Sequence, residues 1–345
     1  MNCKICGVPQ GLARGNAWHA DGTISGRYPP YIKGTFFDVD EVNYLFRSLS
    51  DYLDYDISEI VAGGKHHDTK EYMSVMIEKL RESSGGKLPA VEDLYRMMLS
   101  PICIWGIAQV DFDSIDPLRT VIRVKHPYSI PLLRGDVAGA AYVVTGEEHQ
   151  AEWEGDEEEG VIVVTLAESH SWAGSRVAEE AISDAEPEAR ELACERCEAC
   201  GIPRAVGELF RWDEERCRIE ERSTGRRYCF NNTNGITAVL RLLVSELGED
   251  IEQKMTEIAR EYSCALHNGI ELEGELSSFP YRGWGKVTEV FTGMQERAVA
   301  VENPYNEILI AGRIWGMEEA SAGSPLRISE RSVEGKTLRL VFEPS

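Results

Sequence analysis

The sequence predicts an α+β protein built as two tandem repeats, each a metal-knuckle hairpin followed by helices and an antiparallel sheet, packed as a pseudo-dimer. Two observations carry this reading. The heptapeptide Cys3-Lys4-Ile5-Cys6-Gly7-Val8-Pro9 returns with the same spacing as Cys197-Glu198-Ala199-Cys200-Gly201-Ile202-Pro203. Sliding the chain against itself by 194 positions also superposes Trp18 on Trp212, Phe36 on Phe230, Arg47 on Arg241 and Leu49 on Leu243. A chain of 345 residues exceeds a usual single domain, and the repeat turns that length into a boundary. The expected units are residues 1–168 and 194–345, joined over 169–193 by an acidic, Ala-rich, partly helical connector.

In each copy the knuckle leads into a hairpin or small meander. Ala17 to Phe37 turns at Asp21-Gly22 and leans on Trp18, and Leu209 to Phe230 turns near Ser223-Thr224-Gly225. A helix follows. Asp38 or Asp40 caps the set Val42, Leu45, Phe46, Leu49 and Leu53, and Asn232 or Asn234 caps Ile236, Val239, Leu240, Leu243 and Leu247. Both sets run i, i+3, i+4, i+7, i+11, so each helix buries one matching stripe.

Helical pattern continues over Asp68 to Glu82, Val91 to Met98 and Ile251 to Leu266. Trp105-Gly106 then matches Trp284-Gly285 at an offset of 179, so the first copy holds 15 extra residues. Ser83-Ser84-Gly85-Gly86 and the short helix after it are the expected insertion, a candidate lid or contact surface. Two strands around a turn are expected in Ile102 to Lys125 and in Trp284 to Glu302. They end at His126-Pro127-Tyr128 and Asn303-Pro304-Tyr305, where Asn is expected as helix N-cap and Pro as first helical residue. The next helix carries Gly135 and Gly139, matched by Gly312 and Gly316, at a spacing that admits a second backbone. Hairpins over His149 to Leu166 and Leu326 to Phe342 close the copies.

Composition bounds the function classes. A net charge of -23, with no basic run longer than Gly225-Arg226-Arg227, argues against nucleic-acid binding, which needs clustered Lys and Arg. The longest apolar stretch, Val137 to Val144, falls far short of the ~18 residues a bilayer span takes. Polar residues follow Met1 at once, so no signal peptide is expected. Nine cysteines in such a chain, paired at short spacing, read as ligands in a reducing cytoplasm.

A structural zinc takes four N or S ligands, and each Cys-x-x-Cys offers two. The Gly after the second Cys suits the tight knuckle turn, which aims amides at sulfur. If the copies pack about a twofold axis, Cys3, Cys6, Cys197 and Cys200 meet at one metal. Zinc is the default, and iron in a rubredoxin-like site uses the same ligands. A rival closure joins Cys197 and Cys200 to Cys217 and Cys229, which flank the second hairpin's turn. Cys194 extends the second knuckle to Cys-x-x-Cys-x-x-Cys, without the Cys-Pro of ferredoxin-like runs.

The segment from Gly283 to Phe342, with Gly-Trp-Gly, Asn303-Pro304-Tyr305, the Gly312/Gly316 helix and a last hairpin, resembles the 4-vinyl reductase domain family, also called hydrocarbon-binding proteins. Trp105 to Leu166 resembles it more weakly. The resemblance implies an α/β ligand-binding module, similar to TRAPP core subunits, that associates in pairs and so can form homo-oligomers. Members often place cysteines at the start of the Gly-containing helix and in the last hairpin; Ile308 to Gly316 and Leu326 to Phe342 have none, so chemistry resting on those thiols does not carry over.

Trp105, Tyr128, Trp284, Tyr305 and Trp315 cluster around the strand-to-helix regions. Core packing explains them most simply, whereas an apolar pocket with His126 or Asn303 as polar groups would be a small-molecule site. His66-His67 reads as a solvated helix-entry loop, with a metal or anion role as the sharper reading. Cys103 and Cys264 read as core residues, and Asp156-Glu157-Glu158-Glu159 as a solvated hairpin tip. Asp111, Asp113 and Asp116 lack the Gly and distal Glu of a calcium loop. No phosphate-binding Gly-rich loop, His-Glu-x-x-His or Gly-x-Ser-x-Gly occurs. The expected function is a metal-containing module that binds an apolar small molecule or a partner protein, or else an oxidoreductase or electron-transfer protein with iron on the four cysteines.

Overall fold

The computed structural model describes residues 1–99, 101–116, 118–167, 185–267, 272–293 and 296–345. In chain order the first half contributes α1 (Gln10–Gly15), β1 (Asn16–Trp18), β2 (Ile24–Gly26), β3 (Lys33–Asp38), α2 (Val39–Leu53), α3 (Ser58–Ser83), α4 (Val91–Leu99), β4 (Gln109–Ser114), β5 (Arg119–Lys125), α5 (Ile130–Thr145), β6 (His149–Gly155) and β7 (Glu159–Leu166). The second half adds α6 (Arg204–Leu209), β8 (Phe210–Asp213), β9 (Arg218–Glu221), β10 (Arg227–Asn232), α7 (Thr233–Leu247), α8 (Asp250–Leu266), α9 (Leu272–Arg282), β11 (Lys286–Thr292), β12 (Arg297–Glu302), α10 (Glu307–Ala322), β13 (Leu326–Glu334) and β14 (Thr337–Pro344). The same kinds of element follow one another in the two halves.

Three antiparallel sheets organise these elements. A six-stranded sheet runs β1-β2-β3-β10-β9-β8, so each half supplies three strands and the halves join at β3–β10. In that pair Phe36 stands directly opposite Phe230, flanked by Thr35 opposite Asn231 and Phe37 opposite Cys229. The outer sheets, β4-β5-β7-β6 and β11-β12-β14-β13, have the same strand order. Side chains bind the halves further. Trp18 Nε1 donates to the Tyr281 carbonyl at 3.1 Å, and Trp212 Nε1 to the Ile104 carbonyl at 3.0 Å. One apolar core runs through both halves, so the boundary read from the sequence does not divide two separately packed units.

The capped helices form as expected. The Asp38 carboxylate accepts from the Asp40 and Glu41 amides, and the Asn232 side chain from the Gly235 amide, satisfying first-turn donors that have no partner inside the helix. Each of these helices packs on the other half: α2 on α8, and α7 on α3. The glycine pairs also act as expected. A Cβ on Gly135 would lie 2.4 Å from the Ala62 carbonyl oxygen, and one on Gly312 2.4 Å from that of Thr256, so α5 lies backbone-close on α3 and α10 on α8.

Several local expectations are corrected. Helix α3 begins at Ser58, so His66-His67 lies within it and His66 is buried. Gly63-Gly64 sits inside this helix because a Cβ on Gly64 would come within 2.8 Å of the Val239 Cα; contact with α7 outweighs the low helix propensity of glycine. The short helix α4 is not an insertion, since α9 stands before Trp284 as α4 stands before Trp105. Much of the extra length lies in α3, of 26 residues against 17 in α8. Asn303 is not an N-cap: α10 starts at Glu307 and is capped by Asn306, whose side chain accepts from the Ile308 and Leu309 amides. His126 and Asn303 instead share a left-handed backbone, φ 52° and 51°, which turns the chain between strand and helix. Cys103 is not a free core thiol but is disulfide-bonded to Cys217, tying the two halves. Of the acidic connector, residues 168–184 lie outside the described residues; Leu192 pairs with β1, its amide donating to the Trp18 carbonyl at 2.7 Å.

Candidate metal centre

Each knuckle is closed by the same backbone bonds. The Gly7 amide donates to the Cys3 carbonyl at 2.9 Å and the Gly201 amide to the Cys197 carbonyl at 2.8 Å. Both glycines hold positive φ, 76° and 75°, where a side chain would be strained. The amides of Cys3 and Cys197 return to the Val8 and Ile202 carbonyls, each at 2.9 Å, and lock the loop. Val8 and Ile202 are buried, so the matching hydrophobe of each heptapeptide anchors its knuckle in the core.

The knuckles then meet. Cys3 Sγ lies 3.7 Å from Cys197 Sγ, and Cys6 Sγ lies 3.5 Å from Cys200 Sγ; both pairs are separated by 194 positions. All four sulfurs fall within 4.8 Å of one another. A tetrahedral zinc–thiolate site with bonds of about 2.3 Å sets its sulfurs about 3.8 Å apart. The chain thus presents four soft ligands at close to the spacing one ion requires. Among the described residues no other group of three or more His, Cys, Asp or Glu side chains converges in this way.

Electrostatics fits a cation-dependent site. Amides of Cys6 and Ile5 that point at Cys3 hold its thiol down at about 6. Burial pushes Cys6 and Cys200 up instead. Four thiolates this close would repel one another strongly, and a divalent ion at their centre would supply the missing charge. The rival closure is corrected: Cys217 is taken by Cys103, and Cys229, fully buried on β10 opposite Phe37, lies outside the thiol cluster.

No protein-family model, curated protein or solved structure matches this chain. What it does is therefore argued from its own geometry.

The seven residues expected around a ligand do not converge on one cavity. Trp105 lines a small apolar cavity of about 60 Å³ with Met73, Met98, Leu133 and Val137, and Lys65 and Asp136 are also in its lining. Tyr128 lines a cleft of about 980 Å³, and Asn303 and Tyr305 a cleft of about 410 Å³. Tyr128 also donates to Asp136 at 2.6 Å. Trp315 donates to the Leu326 carbonyl at 2.9 Å, and His126 pairs with Glu158 at 2.7 Å, which Arg218 also holds. Glu158 at the hairpin tip is thus engaged, where a solvated turn was expected. Trp284 is fully buried and donates to the Phe36 carbonyl at 2.6 Å.

Around Trp284 lies a buried ionic network that the sequence reading missed. Arg313 and Arg282 stack on its ring, 3.9 and 4.8 Å from the centroid. Arg313 pairs with Glu41, Arg282 with Glu221, and Arg226 bridges Glu221 at 2.8 Å and Asp38 at 3.0 Å. Burial raises the Asp38 and Glu41 carboxyls above their usual range, with Arg313 pulling both back. Burial also acts on Glu275, but the His267 hydrogen bond and Arg282 outweigh it and hold the carboxyl at about 2. The available signal was Arg313 itself, a charge inside the apolar run Leu309 to Ile314.

Proposed function

We propose that the protein is a duplicated binding or accessory module of 4-vinyl reductase type whose halves are clamped by one structural zinc on Cys3, Cys6, Cys197 and Cys200. The observation that carries this is the meeting of repeat-equivalent thiols at 3.7 and 3.5 Å. Four protein ligands leave no open position, which marks a structural site and not a hydrolytic one. The duplication and pseudo-dimer reading is supported by the matching strand order of the outer sheets and by Phe36 facing Phe230. For the ligand reading, the apolar cavity beside Trp105 has about 60 Å³, well below the roughly 300–1,000 Å³ of a drug-sized ligand site, so it would admit only a very small apolar molecule. Among the described residues no helix is long and apolar enough to cross a membrane. A cytoplasmic location, read from the cysteine usage, sets the Cys103–Cys217 bond against a reducing environment.

A second reading, iron for electron transfer, is favoured by the partial exposure of Cys6 and Cys200, which brings the cluster near the surface. Metal analysis and an absorption spectrum of the pure protein separate the two. One zinc per chain and no visible colour is the expected result. A deeply coloured ferric tetrathiolate would replace zinc by iron, and a metal-free, fully folded protein would end both readings.

A further inference from the structure

The four sulfurs of the metal centre do not meet solvent equally. Cys3 and Cys197 are buried, at 4% and 5% exposure, whereas Cys6 and Cys200 are half-buried. A solute therefore reaches the cluster from one side, and that side carries one thiol from each half. These two thiols are in contact, Cys6 Sγ lying 3.5 Å from Cys200 Sγ. Each stands at the tip of its knuckle, just before the positive-φ glycine, Gly7 or Gly201. The other half holds Cys6 in place: a Cβ on Gly207, in α6, would lie 2.9 Å from both the Cys6 Cβ and its carbonyl oxygen. The tip of the first knuckle thus rests on the helix that follows the second. A bond between cysteines of opposite halves is compatible with this fold, since Cys103–Cys217 is one already.

We infer that the clamp is redox-sensitive: hydrogen peroxide converts Cys6 and Cys200 to a disulfide across the two halves, and the zinc leaves. This rests on the reading of the cluster as a zinc site. Susceptibility to oxidation follows thiolate character and exposure, which selects the outer pair. The thiolate of Cys6 or Cys200 attacks one peroxide oxygen and the O–O bond breaks. The sulfur becomes a sulfenic acid, and the hydroxide released takes a proton to become water. The other thiolate then attacks the sulfenic sulfur, forming the S–S bond and expelling a second hydroxide, which also leaves as water. The two sulfurs together give up two electrons, and the peroxide gains them. Only Cys3 and Cys197 remain as ligands, where a structural zinc takes four, so the ion departs and each of these thiolates takes up a proton. A covalent link thereby replaces the metal link at the same place, and a dithiol reductant restores the four thiols.

The test treats the full, zinc-loaded chain with hydrogen peroxide beside a chromogenic zinc chelator, following released zinc by absorbance and mapping the products by tandem mass spectrometry of peptides. Complete loss of the bound zinc is expected, together with a new disulfide between Cys6 and Cys200. Dithiothreitol followed by added zinc should restore the original metal content. The double variant Cys103→Ser/Cys217→Ser is expected to release its zinc in the same way, because the existing disulfide takes no part. Zinc held through the peroxide treatment overturns the inference, as does zinc retained by the double variant alone. So does zinc lost without the Cys6–Cys200 bond, whether the new bond lies within one knuckle, runs to Cys194, or is replaced by sulfinic and sulfonic acids. These results leave the metal site itself standing. A folded chain that holds no zinc before any oxidant is added ends the clamp reading, and this inference with it.

Discussion

Cys3 stands 3.7 Å from Cys197 across the same separation of 194 positions that sets Phe36 opposite Phe230 in β3–β10. On the proposed duplication, contacts between equivalent positions would arise on a twofold axis, which would put the thiol cluster and the centre of the long sheet on one line of symmetry. A metal there would tie the two halves, whose helices α2 and α7 already pack on α8 and α3 of the opposite half.

Cys6→Ser and Cys200→Ser are each expected to lose the metal, because three thiolates and a hydroxyl bind zinc far more weakly. Cys217→Ser and Cys229→Ser should keep it in full, since neither sulfur belongs to the cluster. Metal-to-protein ratio by elemental analysis reads all four variants. Full metal content in Cys6→Ser would sink the shared site.

The glycine contacts give a paired test. Gly312→Ala puts a Cβ against the Thr256 carbonyl oxygen at 2.4 Å, and backbone cannot swing aside as a side chain can. A loss of about 1–3 kcal/mol is expected from such overpacking. Gly274→Ala, within helix α9, meets nothing within 4 Å and should gain about 0.5–1 kcal/mol from reduced unfolded-state freedom. Denaturant midpoints at constant slope measure both, and equal effects of one sign would refute the packing argument.

The Glu41–Arg313 pair is buried on both sides, each side chain 1% exposed. Arg313→Met leaves Glu41 without its partner in the core, and a cost of about 3–5 kcal/mol is expected for removing one partner of a buried pair. Glu41→Gln together with Arg313→Met should cost less than the sum of the singles, because no unpaired charge remains. Additive costs in a double-mutant cycle would show that the two residues do not act as a pair.

Much of this was legible in the sequence where the cause is local. The knuckles announce themselves because a Cys-x-x-Cys-Gly turn needs those residues wherever it sits, and α2 and α7 because their caps and apolar stripes are contiguous. The four-thiol cluster followed from one added assumption, that the copies pack about an axis. What was not legible depends on partners distant in the chain. Gly63-Gly64 looked like a break because Val239, which requires Gly64, is far away in sequence. Asn303-Pro304 looked like a cap because local chemistry allows it, yet the left-handed turn at Asn303 delays the helix until Asn306 can cap it. Cys103 and Cys217 gave no sign of pairing, since neither lies in a spaced motif.

His66 is expected to make the fold acid-sensitive above the range where carboxylates protonate. Burial against α5 holds its imidazole down at about 4, opposed only in part by Glu148 at 3.2 Å. In the unfolded chain the ring titrates near its ordinary 6.5, so on acidification the unfolded state takes up the proton first. The neutral ring's contribution is complete above pH 6.5 and declines as pH falls toward 4, amounting to roughly 2 kcal/mol lost by pH 5. Asp38 and Glu41, raised by burial, act in the opposite sense, and Glu275 loses its contribution only below its unfolded value of 4.5. The measurement is therefore a difference: the stability of His66→Gln against the parent, from urea unfolding at pH 7, 6 and 5. The gap should change in favour of His66→Gln as the solution becomes more acidic, and a gap independent of pH would show that His66 carries no such penalty.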